Sequence, residues 1–224
     1  MNTNSNTYRT ALRALPWAAL ALGVCGVTVA PVAAAAQAAQ SPSPEVDRAI
    51  AALRAVSTLR ADFIQTDRSG QRIAGVVTLK RPGRIRFEYE KSVPMLIVAD
   101  GNALTLIDYE VKQVQRWPIK NSPLGALLDP SRDVARFARL VPTGNPDVLS
   151  VEVKDPRHPE YGMITLIMVR KAAAPGGYEL NSWVALDSQA KRTTIRLANH
   201  QYGVAVPDST FSWRDPRPPA SAHR

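Results

Sequence analysis

Residues 84–90 alternate without a break: Ile85, Phe87 and Tyr89 fall on one parity, Arg84, Arg86, Glu88 and Glu90 on the other. Such a period of two gives a β-strand one apolar and one charged face, whereas a helix would scatter the same residues around its circumference. The pattern recurs, and it fixes a mostly β architecture. Residues 72–81 precede it with Ile73, Val77 and Leu79 on one face, and Pro82-Gly83 marks the turn between the two strands. Residues 94–99 and 103–109 form another pair across Asp100-Gly101-Asn102. Asp-Gly suits a tight hairpin because both central positions want positive φ. Residues 111–119 continue the meander, and period two also begins at Leu59. Four more strands are expected at 148–154, 163–171, 178–186 and 192–201, punctuated by Pro175-Gly176-Gly177 and by 187–190, with a short last strand near 209–213. About ten or eleven evenly spaced antiparallel strands argue for one domain built as a barrel or a strongly curved sheet.

Helices are few. Ser43-Pro44-Glu45 opens one: a serine cap, a proline at the first helical position and an acid at the positive end of the dipole. Val46, Ile50, Leu53 and Val56 follow at helical spacing, with Ala49 and Ala52 beside them. Residues 123–128 read as a short helical piece stopped by Pro130, and 133–140 as a second.

The N-terminus reads as a signal peptide, residues 1–38. Residues 1–16 are polar and carry Arg9 and Arg13, residues 17–36 are an apolar run, and Ala-x-Ala patterns place cleavage near Ala36 to Ala38. The one cysteine of the chain, Cys25, lies inside that run, so the exported protein would contain none, which suits an oxidising compartment. It also leaves no cysteine pair for a disulfide or a zinc site.

Chemistry-bearing patterns are scarce. His158, His200 and His223 stand in no metal-ligand or catalytic spacing, and neither a nucleophile elbow nor a phosphate loop is present. No catalytic residue, metal site or cofactor is expected. The chain carries a formal net charge of +9, and its densest basic cluster, Lys80-Arg81-Pro82-Gly83-Arg84-Ile85-Arg86, is either an anion-attracting patch or a solvated hairpin. Aromatics do not interleave with it as a base-stacking platform requires, so nucleic acid is not an expected partner. Residues 94–99 and 163–169 are apolar on nearly both faces, which demands cover on both sides. That cover is either packed helices or a cavity with an apolar guest.

Several motifs, taken in order, are similar to those of the periplasmic lipoprotein carrier family, LolA. They are Leu59-Arg60-Ala61-Asp62-Phe63-Ile64-Gln65-Thr66, then the stretch from Gly75 through Lys80-Arg81-Pro82-Gly83 to Tyr89, then Val98-Ala99-Asp100-Gly101-Asn102 and Asp108-Tyr109. Ser122-Pro123-Leu124, Asp187-Ser188-Gln189, Thr193-Thr194-Ile195, Asn199-His200-Gln201, Val206-Pro207-Asp208-Ser209 and Phe211-Ser212-Trp213 complete the likeness. The resemblance implies an unclosed, strongly curved antiparallel barrel of about 11 strands with a helical lid over residues 39–213, and it leaves 214–224 as a flexible tail. It implies a periplasmic carrier that takes the acyl chains of lipoproteins, handed over by an inner-membrane lipoprotein-releasing ABC transporter, and passes them to an outer-membrane receptor or to the outer membrane directly. A carrier of a free lipid is the alternative on the same scaffold. By the same resemblance Arg81 holds the lid through hydrogen bonds to lid carbonyls. The expected cavity residues are Phe87, Tyr89, Leu96, Val98, Leu104 and Leu106, with Ile50 and Leu53 on the lid face. The chain departs from the pattern at Ala190, where the family commonly has glycine.

Overall fold

The computed structural model describes residues 43–119, 125–128 and 134–218; the expected signal peptide, residues 1–38, and the first residues of the expected helical pieces at 123–128 and 133–140 lie outside the described residues. The chain begins with α1 (Pro44–Ala55) and continues through β1 (Thr58–Thr66), β2 (Arg72–Lys80), β3 (Arg84–Tyr89), β4 (Met95–Asp100), β5 (Ala103–Asp108) and β6 (Gln113–Pro118). A four-residue helix, α2 (Gly125–Leu128), intervenes before β7 (Ala138–Val141), β8 (Val148–Lys154), β9 (Met163–Arg170), β10 (Tyr178–Leu186) and β11 (Arg192–Tyr202). One antiparallel sheet holds all eleven strands in the order β6-β5-β4-β3-β2-β1-β11-β10-β9-β8-β7. The β1–β11 pairing joins the two meanders, while β6 and β7 end the sheet unpaired with each other.

The sheet curls, and its aromatics show how far. Phe87 on β3 and Trp183 on β10 lie four strands apart, about 19 Å in a flat sheet, yet their ring centroids are 6.1 Å apart. Phe63 on β1 meets both Phe87 and Tyr89 edge-on at 5.3 Å. Gly75 makes this possible, since a Cβ there would stand 2.7 Å from the Phe63 ring and against the Glu88 carbonyl. The concave face is thus an apolar lining that includes Ile85, Leu149, Leu166, Met168, Ile195 and Leu197.

Two expectations fail locally. The described part of the expected helix at 133–140, residues 134–140, is not one: a single 3-10 turn (Ala135–Phe137) leads directly into the edge strand β7, whose pairing with β8 outweighs the weak helical spacing. Residues near 209–213 form no strand either. After β11 the chain crosses the convex face as a strap that includes a 3-10 turn, Asp208–Phe211. Thr58 Oγ1 donates to the Val204 carbonyl (2.9 Å), Lys80 Nζ to the Val206 carbonyl (2.7 Å) and Arg86 Nη1 to the Ser212 carbonyl (2.9 Å). Asp208 bridges Lys80 and Arg84, and these bonds hold its carboxyl down at about 2. Three members of the basic cluster therefore fasten the strap. Beneath it Phe211 packs into a second apolar cluster with Leu96, Val98 and Ile107.

Candidate binding site

The concave face and the helix over it make the site. Local sequence builds α1 as expected: Ser43 Oγ accepts from the Val46 amide (3.3 Å), Pro44 occupies the first turn, and Val46, Ala49, Ile50, Ala52 and Leu53 are buried on one side. The turn at Pro175-Gly176-Gly177 presses on the helix from outside. A Cβ on Gly176, whose φ is 68°, would stand 2.6 Å from the Ala52 Cα, so a glycine without Cβ and a small residue on the helix allow this approach.

Arg81, in the turn between β2 and β3, clasps the end of α1. Its Nη2 donates to the Leu53 carbonyl (2.7 Å) and its Nε to the Val56 carbonyl (2.9 Å), both at the helix C-terminus. Its Nη1 reaches the Leu128 carbonyl of α2 at 3.4 Å, a carbonyl that also accepts from the Gly83 amide (3.1 Å). The last carbonyls of a helix lack intrahelical partners and carry the negative end of its dipole, so a guanidinium with several donors and a full charge suits them. One turn thus ties both helices to the sheet.

The other expected residues divide by face. Phe87 pairs across β2 with Val77 and across β4 with Ile97, and Leu104 pairs with Ala99 and Leu106 with Ile97. Partners in an antiparallel ladder share a face, so Phe87, Tyr89, Leu104 and Leu106 all belong to the concave side. Ile50 and Leu53 meet that lining from α1. Leu96 and Val98 do not line the interior. Val98 pairs with Arg86 and Leu96 with Glu88, which places both on the convex face under the strap. On β4 it is Met95, Ile97 and Ala99 that share the concave face, and none of the three is among the expected cavity residues. Tyr89 is half-buried, its hydroxyl donates to Gln65 Oε1 (2.9 Å), and burial pushes its pKa up.

Little space is left directly beneath α1. Between α1 and the sheet, Ala52, Leu53, Val56, Leu59, Leu79, Arg81, Met168, Tyr178, Leu180 and Tyr202 enclose about 20 Å³, room for roughly one water. Among the described residues this space under α1 is too small for an acyl chain, and Ile50 and Leu53 of the helix pack directly on the lining. Toward the open edge the lining is less covered: Leu104 and Leu106 are half-buried, and Trp117 of β6, paired with Leu104, is 41% exposed. Among the described residues no group of His, Cys, Asp and Glu could hold a metal ion, and no helix is long and apolar enough to cross a membrane.

A curled, unclosed antiparallel sheet with an apolar concave face and a helix clasped over it defines a protein organised around a covered apolar surface. Residues 54–214 match the family model described as outer membrane lipoprotein carrier protein LolA, and the chain belongs to that family. The outer-membrane lipoprotein carrier protein of Chromobacterium violaceum is 30% identical over 198 residues, covering 82% of this chain and 92% of the relative. That of Xanthomonas campestris pv. campestris is 39% identical over 179 residues, covering 71% and 79%. A crystal structure of a LolA superfamily protein from Nitrosomonas europaea overlays with a TM-score of 0.46 at 9% identity, covering 78% of this chain and 98% of that one.

Proposed function

We propose that this chain is a non-catalytic periplasmic carrier that shelters the acyl chains of lipoproteins against its concave face, between the inner and outer membranes. The observation that carries the reading is the Arg81 clasp: an apolar lining sealed by a helix held at its C-terminal end by two short hydrogen bonds. Burying a methylene is worth roughly 0.8 kcal/mol, so an anchor of about forty such groups would cost on the order of 30 kcal/mol to expose to water. A carrier has to offset that cost and still let go. Closure of α1 onto its own lining competes with cargo and lowers the net affinity by the free energy of closing. In this reading Phe87, Tyr89, Leu104 and Leu106 contact the acyl chains, together with Ile50 and Leu53. An inner-membrane ABC transporter loads the carrier, and an outer-membrane receptor or the outer membrane itself unloads it. The leader is removed near Ala36 to Ala38 on export.

The reading is tested by isolating the exported protein from a periplasmic fraction and identifying bound material by mass spectrometry. Acylated lipoproteins are expected. Free glycolipid, fatty acid or isoprenoid in their place would make the chain a free-lipid carrier, and no bound lipid would overturn both.

A further inference from the structure

Beside the small space under α1 lies a larger one. A groove of about 410 Å³ runs between the N-terminal half of α1 and the β7–β8 hairpin, within the roughly 300–1,000 Å³ usual for small-molecule sites. Leu140, Val141, Pro142, Val148 and Leu149 give it apolar walls, and Arg48 of α1 and Arg170 at the end of β9 also line it. Tyr178 lines both this groove and the small space under α1. Its buried ring, covered by the Arg170 guanidinium 5.1 Å away, is a partition between the two.

The fastening of α1 is lopsided in the same sense. Arg81 grips carbonyls at residues 53 and 56, and Gly176 abuts Ala52, all in the C-terminal half; residues 45 and 48, at the other end, border the groove. Val46 and Ala49 still bury the N-terminal half on the core, but that half has the groove beside it and none of the clasping bonds, so it is the end with less to break on lifting.

We propose that this groove is the head-group site for cargo: it holds the diacylglyceryl-cysteine head of a lipopeptide, whose acyl chains pass Tyr178 to reach the concave face as the N-terminal half of α1 lifts. The inference rests on the acyl-carrier reading above. Ester and amide carbonyls of such a head accept hydrogen bonds, and each guanidinium has five donors. Arg170 spends one on Asp147 Oδ1 (2.9 Å), and Arg48 is engaged with Glu45 and the Pro44 carbonyl, so both keep donors for a ligand. Glu45 and Asp147 balance the two arginines, which suits an uncharged ester head, and the apolar walls suit the first methylenes below the esters.

The probes are a synthetic dipalmitoylglyceryl-cysteinyl peptide and a neutral naphthylamine dye that reports apolar binding without a head group. Arg48→Gln and Arg170→Gln are combined; both side chains are about half exposed, and circular dichroism and urea unfolding check that the double variant folds as the parent does. About tenfold weaker lipopeptide binding is expected, the equivalent of one or two lost hydrogen bonds, with dye affinity unchanged. A Trp placed in the groove by Asn145→Trp should blue-shift on lipopeptide addition and stay unmoved with dye. Unchanged lipopeptide affinity, or equal loss for both probes, overturns the groove while leaving the carrier reading intact. If the parent protein binds neither probe, the carrier reading fails and the groove proposal with it.

Discussion

Replacing Arg81 by leucine should unfasten α1 without unfolding the sheet. Among its bonds to described residues, the guanidinium makes two short ones to carbonyls at the end of α1, 2.7 and 2.9 Å, and one of 3.4 Å to the Leu128 carbonyl. At about 1.5 kcal/mol for each short charge-assisted bond, with the long one counted as nothing, the clasp contributes about 3 kcal/mol to the closed state. Since ~1.4 kcal/mol is a factor of ten, losing it raises the open-to-closed ratio about 10²-fold. Because closing competes with cargo, apolar binding should tighten by up to the same factor and release should slow accordingly. Arg81→Leu would then load normally and unload poorly. Equilibrium titration with a hydrophobic dye gives the affinity, stopped-flow displacement gives the release rate, and amide exchange in residues 46–53 reports opening. Wild-type affinity together with wild-type exchange protection in the variant would refute the reasoning.

Other consequences follow from local geometry. Gly75→Ala drives a methyl into the Phe63 ring and the Glu88 carbonyl; it should cost about 2–3 kcal/mol, as overpacking a core does, and urea unfolding would show a lower midpoint. Ala190 sits at φ 58°, a left-handed conformation that penalises a Cβ, so Ala190→Gly should raise stability by about 0.5–1 kcal/mol despite the added freedom of the unfolded chain, measured as a higher Tm. The carboxyl of Asp208 is depressed to about 2, first by its bond from Arg84 and then by Lys80, against roughly 3.9 when unpaired. A depressed carboxyl stabilises fully above its unfolded pKa and loses that contribution as pH falls through the folded one. The strap should therefore hold from neutral pH to about 4 and loosen toward pH 2, with Trp213 fluorescence as the readout and Asp208→Asn loosening it at every pH.

Strands with one wet face were legible in the sequence, because alternation records burial directly. Residues 148–154 and 178–186 fall on β8 and β10 as read, and β3 ends one residue early. The face assignment on β4 was not legible: Leu96, Ile97, Val98 and Ala99 are all apolar because the concave lining covers one side and Phe211 the other. Only the ladder partners decide between them. The strap escaped notice for a related reason, since its contacts join Lys80, Arg84 and Arg86 to residues about 125 positions away, and a basic run looks the same whether it faces solvent or a distant backbone. Edge strand β7 is only four residues long and carries too little pattern to outweigh a helical reading. The Arg81 geometry came from likeness to a family and not from spacing, since nothing local marks a turn arginine as a helix clasp. The groove beside α1 is invisible in sequence, because its walls come from α1, the β7–β8 hairpin and the start of β10.

The account stands on movement of α1 away from the lining it packs against. Spin labels at two exposed positions, Asp47→Cys on α1 and Arg196→Cys on β11, in the protein without its leader and so without Cys25, would report that movement by pulsed electron resonance. The account predicts a longer distance when a diacylated lipopeptide is bound, and return to the shorter one when it is stripped. Lipopeptide bound tightly with the distance unchanged would contradict it.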